Sequence, residues 1–158
     1  MNALILCVGK LKERWQREAC EEYLKRLSRF GSVRVEEVPD QPEPAKPSPA
    51  LTQQLLDREG RELMRRLRPG DRVVALCIEG EAPDSEGLAQ RLRGWEMDGR
   101  RLVLVIGGSQ GLSEEVVRSA QCRLSFSNMT FPHPLMRVIL LEQLYRCFKI
   151  NAGERYHK

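Results

Sequence analysis

The stretch RLVLVIGGSQG, residues 101–111, decides the fold class of this chain. Leu102 to Ile106 is continuously apolar and runs into two glycines, which is typical of a strand buried on both faces of a parallel sheet. Comparable strand-like runs lie at residues 3–9, 33–38, 72–78 and 122–126, and segments with helical features separate or follow them. The order β-α-β-α-β-α-β-α-β-α therefore predicts an α/β domain with a mostly parallel sheet and helices on both faces.

The bulk composition is that of one ordinary soluble domain. The chain has 158 residues, of which 41% are apolar and 30% charged, so a single domain over residues 1–158 is expected. The net charge of +4 permits a polyanionic partner such as RNA without requiring one. The longest apolar runs are too short to span a bilayer, and the first residues enter a strand without a signal peptide. No membrane association and a cytoplasmic location are therefore expected.

The cysteines and histidines argue against a metal site. No two cysteines have the C-x-x-C spacing of a zinc site, and the chain holds only two histidines. Three of the thiols fall inside apolar runs, which favours buried free thiols in a reducing compartment. The five cysteines are Cys7, Cys20, Cys77, Cys122 and Cys147.

Three strand exits have the composition of ligand-binding loops. They span residues 76–80, 107–111 and 127–133, and parallel sheets bind ligands outside the carboxyl ends of their strands. The glycines of residues 107–111 match neither the dinucleotide-binding pattern nor the P-loop pattern. A tight strand-to-helix turn is the favoured interpretation of that segment, and close approach of the backbone to a ligand is the alternative.

His133 stands between Pro132 and Pro134, close to several hydroxyl and amide side chains. The prolines predict irregular backbone around the imidazole and a fixed orientation for it, so both a catalytic and a structural role are open. The helix that follows, at about residues 135–150, is apolar on nearly all sides. A helix of that kind lies deep in a core or in a subunit contact, and a domain of this size favours a homodimer contact.

Two further segments leave alternatives open. Residues 39–49 hold five prolines in eleven positions and predict a loop, which is either a flap beside a site or, as the pattern favours, a solvated connector. The next helix carries arginines that either meet phosphates or form a solvated face. These are Arg58, Arg61, Arg65, Arg66 and Arg68.

Four separated motifs together resemble the RlmH (YbeA-type) family, which are SPOUT-class methyltransferases acting on N3 of a pseudouridine in 23S ribosomal RNA. The motifs are IGGSQGL at 106–112, SNMTFPH at 127–133 with Arg137, EQLYR at 142–146 and YHK at 156–158. The resemblance covers the whole chain. Two departures are Cys77, where members often have Asp, and Pro134, where members often have Gln.

The resemblance implies a C-terminal trefoil knot, a homodimer, and S-adenosylmethionine (SAM) as the cofactor. It implies a cofactor pocket lined by Leu76, Gly107, Phe126, Ser127, Asn128, Met129, Thr130 and Phe131. We expect the catalytic groups to be His133, Tyr156 and His157, and the groups that contact RNA to be Arg137, Arg146 and Lys158. The implied substrate is 23S rRNA in the assembled ribosome. A non-catalytic ribosome-binding protein and a tRNA methyltransferase are the alternatives.

Overall fold

A computed structural model describes residues 1–156. Five parallel strands form one sheet in the order β2-β1-β4-β3-β5, and helices separate them along the chain. This confirms the predicted α/β class, with a sheet that is parallel throughout. The elements are β1 (Asn2–Val8), α1 (Arg14–Leu27), β2 (Ser32–Val38), α2 (Pro49–Met64), β3 (Arg72–Glu81), α3 (Ser85–Met97), β4 (Leu102–Ile106), α4 (Glu114–Ser119), β5 (Cys122–Leu124) and α5 (His133–Asn151).

The sheet separates two apolar layers, because alternate side chains of each buried strand point to opposite faces. In β1, Ile5 and Cys7 join the layer that contains α1, α3 and α5. Leu4 and Leu6 join the opposite layer with side chains of α2 and α4. The central strand β4 is buried on both faces over its whole length, as its unbroken apolar run predicted.

Side-chain caps fix the starts of three helices. Ser48, Asp84 and Ser113 accept hydrogen bonds from backbone N–H groups in the first turns of α2, α3 and α4. Each cap satisfies a donor that has no partner inside the helix.

Helix α5 begins earlier than predicted. The prediction of irregular backbone around His133 is wrong, because His133 is the first residue of α5 and Pro134 lies in its first turn. Proline is tolerated there, since the first N–H groups of a helix have no intrahelical acceptor and the ring's fixed φ already suits the helix. The imidazole is thus mounted on a rigid helix end.

Strand β3 is interrupted beside its edge neighbour. Leu124 of β5 pairs with both Leu76 and Glu81, so the four residues between these two loop out of the ladder. A Cβ atom on Gly80 would lie 2.5 Å from the carbonyl carbon of Leu124, and only glycine permits this close approach. This interruption lies at the carboxyl end of the sheet, where the other two predicted ligand loops begin.

The two faces of α5 differ in burial. One face packs between α1 and α3 and is fully buried, through Arg137, Leu140, Leu141, Leu144, Cys147 and Phe148. The other face, which includes Leu135, Ile139 and Gln143, is half-exposed in the single chain. This leaves an apolar helix face available for a second subunit. The homodimer and the trefoil knot stay predictions.

Two helical glycines allow a direct test of the packing between α2 and α4. Gly60 is buried, and a Cβ atom there would lie 2.2 Å from Ser113 Oγ, whereas Gly94 in α3 is exposed with nothing within 4 Å. We expect Gly60→Ala to lower the free energy of unfolding by about 1–3 kcal/mol through overpacking. Gly94→Ala is expected to raise it by about 0.5–1 kcal/mol, because alanine has the higher helix propensity. Urea unfolding at equal protein concentration measures both, and equal stability of the two variants would contradict this packing.

Candidate functional site

A cavity of about 890 Å³ opens at the carboxyl ends of β3 and β4. Its walls come from the interruption in β3, the turn after β4, and the loop between β5 and α5. These are the three strand exits that the sequence predicted as ligand loops, and the structure brings them together around one space. Volumes of this size are typical of small-molecule pockets.

Seven of the eight predicted cofactor-binding residues line this cavity. They are Leu76, Gly107, Phe126, Ser127, Met129, Thr130 and Phe131. Asn128 lies in the same loop, where it is exposed, and does not line the cavity. Cys77, one of the two departures from the family pattern, does line it, and burial raises the pKa of its thiol. Cys77 is therefore held as a neutral thiol beside the cavity.

The turn at residues 107–111 has the tight geometry that the favoured sequence interpretation predicted, and its close approach to a ligand stays a prediction. The Gly111 N–H donates to the Gly108 carbonyl at 3.1 Å, and Gly111 has φ +86°, so the turn is tight. A Cβ atom on Gly107 would lie 2.2 Å from the Gly111 carbonyl oxygen. The same residues also form the cavity wall, so the turn exposes backbone polar groups to whatever occupies the cavity.

The loop between β5 and α5 is held by its own serines. Ser125 Oγ donates to the Ser127 carbonyl at 3.0 Å, and the Met129 N–H donates to Ser127 Oγ at 2.9 Å. Met129 remains 69% exposed at the cavity rim. These local bonds give the loop a defined shape without support from regular secondary structure.

His133 lies at the cavity, half-buried at the first turn of α5. Its Nε2 is 3.7 Å from the point where a Cβ atom on Gly9 would lie. Burial lowers the pKa of His133, and the positive charge of Arg137 lowers it further. A neutral imidazole at this position is able to accept a proton near pH 7.

Arg137 is placed inside the fold rather than on its surface. The residue is 2% exposed; its Nη1 donates to Glu37 Oε1 and its Nη2 donates to the Gly9 carbonyl at 2.9 Å. These contacts join α5 to the carboxyl ends of β1 and β2. In this arrangement the guanidinium does not reach a surface where RNA would meet it, and its contact with RNA stays a prediction.

Tyr156 and Arg146 form a second cluster at the far part of α5. The Tyr156 hydroxyl donates to Glu142 Oε1 at 3.3 Å, and the Arg146 guanidinium donates to the same oxygen and lies 4.9 Å from the Tyr156 ring centroid. The Tyr156 ring also contacts Tyr145 edge-on at 5.0 Å. Burial and the nearby Tyr23 raise the pKa of Tyr156 to about 12, so its hydroxyl stays protonated.

The two clusters do not meet within one chain. Glu142, which Tyr156 contacts, stands nine residues after His133 on the same helix, or about 14 Å along its axis. His157 and Lys158 lie outside the described residues. The sequence motifs therefore gave no indication that the predicted catalytic groups belong to separate places on a single subunit.

The proline-rich loop at residues 39–49 contacts the site, although the sequence pattern had favoured a solvated connector. Ser109 Oγ, on the cavity turn, donates to Glu43 Oε1 at 2.5 Å. The Gln41 N–H donates to Glu59 Oε1 at 2.9 Å. These bonds favour the flap interpretation over the solvated connector. Sequence reasoning missed Glu43 and Glu59, because the two bonds join positions 66 and 18 residues apart and no local motif marks them.

Neither a metal centre nor a membrane segment is found in the part of the chain that the structure describes. Over residues 1–156, no three side chains of His, Cys, Asp and Glu gather as a metal site, and no helix is long and apolar enough to cross a bilayer.

Of the five arginines in and after α2, Arg65 pairs with Glu62 and Arg66 pairs with Glu36. The two interpretations of this arginine-rich face both remain open.

Comparison with known proteins places the whole chain in one group. A family model described as predicted SPOUT methyltransferase matches residues 1–157. Ribosomal RNA large subunit methyltransferase H of Bifidobacterium animalis subsp. lactis is 55% identical over the full length of both chains. The protein of that name from Clostridium novyi is 46% identical over the full length of both chains. The one from Pelotomaculum thermopropionicum is 48% identical over 97% of this chain and 96% of its own length.

A solved structure supports the fold alone. A probable methylase family protein from Haemophilus influenzae Rd KW20 superposes with a TM-score of 0.57 at 12% identity. The match covers 99% of this chain and 70% of that protein.

The protonation of His133 gives a measurable test of the site. We expect its pKa, followed by NMR in a His157→Gln background that leaves one imidazole, to lie below the ordinary value of 6.5. The groups facing it are Arg137, Lys12 and Asp40, and the lowering by burial and by the two cations outweighs the opposite effect of Asp40. A value at or above 6.5 would contradict the buried placement.

The same pKa shift has a consequence for stability. Because folding favours the neutral imidazole, the stabilisation is present above pH 6.5 and is lost as pH falls through the lower folded pKa. His133→Asn should therefore show a weaker loss of unfolding free energy over that interval than the parent chain. Urea unfolding across the pH range measures the difference.

Proposed function

We infer the function from one premise: the chain belongs to the SPOUT methyltransferase family. We propose that it is a ribosomal RNA large subunit methyltransferase that uses SAM to methylate N3 of a pseudouridine in 23S rRNA of the assembled ribosome. The names of its relatives favour this over a tRNA methyltransferase or a non-catalytic ribosome-binding protein. The observation that carries the proposal is the cavity, where the glycine turn, the serine-held loop and His133 meet.

The residues present fit SAM. Gly107 and Gly111 keep side chains out of the cavity wall, and their turn presents backbone N–H and C=O groups of the kind that read an adenine edge. Leu76, Phe126 and Phe131 supply apolar surface on the other walls. When bound, SAM supplies an electrophilic methyl group. We propose that residues 107–111 and the loop through Phe131 hold it.

The chain's own contribution to the chemistry is proton removal at the target base. An imide nitrogen must lose its proton to act as a nucleophile, and a neutral imidazole is a suitable acceptor. His133 has that protonation state, because burial and Arg137 both disfavour the imidazolium. Its position on a helix end restricts where the imidazole can point. Tyr156 keeps its proton and suits a hydrogen-bonding or orienting role, and His157 is the alternative base.

We propose that a homodimer completes each site. His133 and Tyr156 lie at separate places along α5 in one chain, whereas a two-fold axis against the half-exposed face of α5 would bring one subunit's tail toward the other subunit's cavity. Arg146 and Lys158 would then stand near the RNA backbone.

We propose that this one domain binds RNA without a separate RNA-binding module inside residues 1–158. Substrate choice therefore depends on the shape of the ribosome and on both subunits together. The proposed location is the cytoplasm, where ribosomes are found.

Calorimetric titration of SAM tests the cofactor assignment. We expect micromolar-range binding by the parent protein and loss of that binding in Gly107→Arg, because a side chain at Gly107 collides with the Gly111 backbone and fills the turn. Gly94→Ala, which is distant in sequence and exposed, serves as the matched control and should bind as the parent does. A folded parent protein that does not bind SAM would contradict the assignment.

Methyl transfer from radiolabelled SAM then identifies the substrate. We expect label in 23S rRNA when 70S ribosomes are supplied, and little or none with free 23S rRNA or tRNA. Preferential labelling of tRNA would overturn the rRNA proposal.

Subunit mixing tests whether each site uses two chains. One variant carries His133→Ala and the other ends at Arg155, so each should be inactive alone. When equal amounts of the two variants are refolded together, about half of the dimers contain one chain of each kind. Each of these mixed dimers has one intact site out of two, so the total activity should reach about a quarter of the parent value. The background activity is measured on each variant after it has been unfolded and refolded alone. No recovery above that background would show that His133 and the tail act within the same chain.

A further inference from the structure

Glu59 is a buried carboxylate behind the cavity turn. Hydrophobic packing does not explain why a charged residue type stands at this position. It lies in α2, is 4% exposed, and its Oε1 accepts the Gln41 N–H at 2.9 Å. Its Oε2 has no hydrogen-bond partner among the described residues. A half-satisfied buried carboxylate costs free energy that an apolar side chain would not. A residue that is costly to the fold is therefore a candidate for a functional role.

The unpartnered oxygen faces the cavity turn. A Cβ atom on Gly108 would lie 3.0 Å from Glu59 Oε2 and 3.1 Å from Val8 Cγ1. The missing side chain at Gly108 thus makes room for the carboxylate directly behind a residue that lines the cavity. Glu59 and the turn are thus close neighbours, with no room between them for a side chain at Gly108.

The other oxygen holds the strap, which we define as residues 39–48. Gln41 is bound to Glu59, and two residues further on Glu43 accepts the hydrogen bond from Ser109 Oγ. Pro42 and Pro44 flank Glu43 and restrict the backbone at this second anchor. The strap is consequently fixed at one buried point and one exposed point, and both points adjoin the turn at residues 107–111.

The strap also approaches the catalytic candidate. Asp40 Cβ lies 3.6 Å from the Cβ position of Gly9, and His133 Nε2 lies 3.7 Å from that same position. Gly9 itself donates its N–H to the Val38 carbonyl at 2.8 Å, where the strap leaves β2. One segment therefore borders both the cofactor turn and the proposed base.

We propose that Glu59 is a positioning residue for the cofactor pocket, which holds the strap against the turn at residues 107–111 so that the turn has its binding shape before the cofactor arrives. This inference rests on the proposed function, since it takes the cavity to be the SAM site. Preorganisation of this kind improves affinity by removing an ordering cost from the binding step.

Three substitutions separate the tether from the negative charge. Glu59→Gln keeps an oxygen that can accept the Gln41 N–H, Glu59→Ala removes it, and Glu43→Ala releases only the exposed anchor. Calorimetry should show SAM affinity weakened about tenfold in Glu59→Ala and about threefold in Glu43→Ala, the size expected for one lost hydrogen bond. Glu59→Gln should stay within about threefold of the parent.

Two further measurements distinguish positioning from general stability. In Glu59→Ala and Glu43→Ala, KM for SAM should rise while kcat at saturating SAM stays near the parent value. The reason is that the strap prepares the binding site and takes no part in the proton transfer. Hydrogen exchange of strap amides should quicken in Glu59→Ala and Glu43→Ala and stay unchanged in Gly94→Ala.

The outcomes are distinct from a failure of the proposed function. If the parent protein does not bind SAM, the proposed function itself fails. If the parent protein binds SAM and a folded Glu59→Ala variant binds it equally well, the inference is overturned. It is also overturned if Glu59→Gln loses as much SAM affinity as Glu59→Ala, since the negative charge and not the hydrogen bond to the strap would then matter. Should Glu59→Ala not fold, unchanged affinity and exchange in the exposed-site variant Glu43→Ala would overturn it.

Discussion

One buried guanidinium joins the last helix to the sheet. Arg137 donates to Glu37 at the end of β2 and to the carbonyl of Gly9 just after β1, so the start of α5 is fixed relative to two adjacent strands. An arginine buried to 2% exposure is costly to desolvate, and removal of its partner would leave an uncompensated charge. His133 lies one helical turn before Arg137; burial is the main cause of its lowered pKa, and the charge of Arg137 lowers that pKa further. The position of the proposed base thus depends on an ion pair between α5 and the end of β2.

The parallel sheet brings the three candidate ligand loops to one end of its strands. All five strands run in the same direction, so the interruption in β3, the turn after β4 and the loop after β5 open on the same side and share one cavity. Glycines keep this edge compact, because Gly80 and Gly107 each stand where a side chain would strike backbone. The strap closes a further side of this edge through Ser109 and Glu59. Gly107, Gly108 and Gly111 therefore contribute bare backbone to a cavity wall that also holds the side chains of Leu76, Phe126 and Phe131.

The single chain leaves one apolar face of its last helix uncovered. Helix α5 is buried on one face and half-exposed on an apolar second face, and Tyr156 packs beside Glu142, well away from His133. In the homodimer that we propose, a second copy covers this apolar surface and supplies a tail to the cavity. The same helix therefore supports the core, positions the proposed base and presents the surface on which dimerisation is proposed.

The amino-acid sequence alone determined the α/β class, the order of its ten elements and the three loops of the site, because strand and helix periodicities and glycine-ended strands are local patterns. It also indicated the family, through four short motifs, and the comparisons confirm that family. It did not determine that α5 begins at His133, that Arg137 is internal, or that Glu59 and Glu43 connect the proline-rich strap to the cavity. The burial of Arg137 and the two anchors of the strap depend on contacts between residues distant in the chain, up to 128 positions apart for Arg137 and Gly9, and only the tertiary structure brings such residues together.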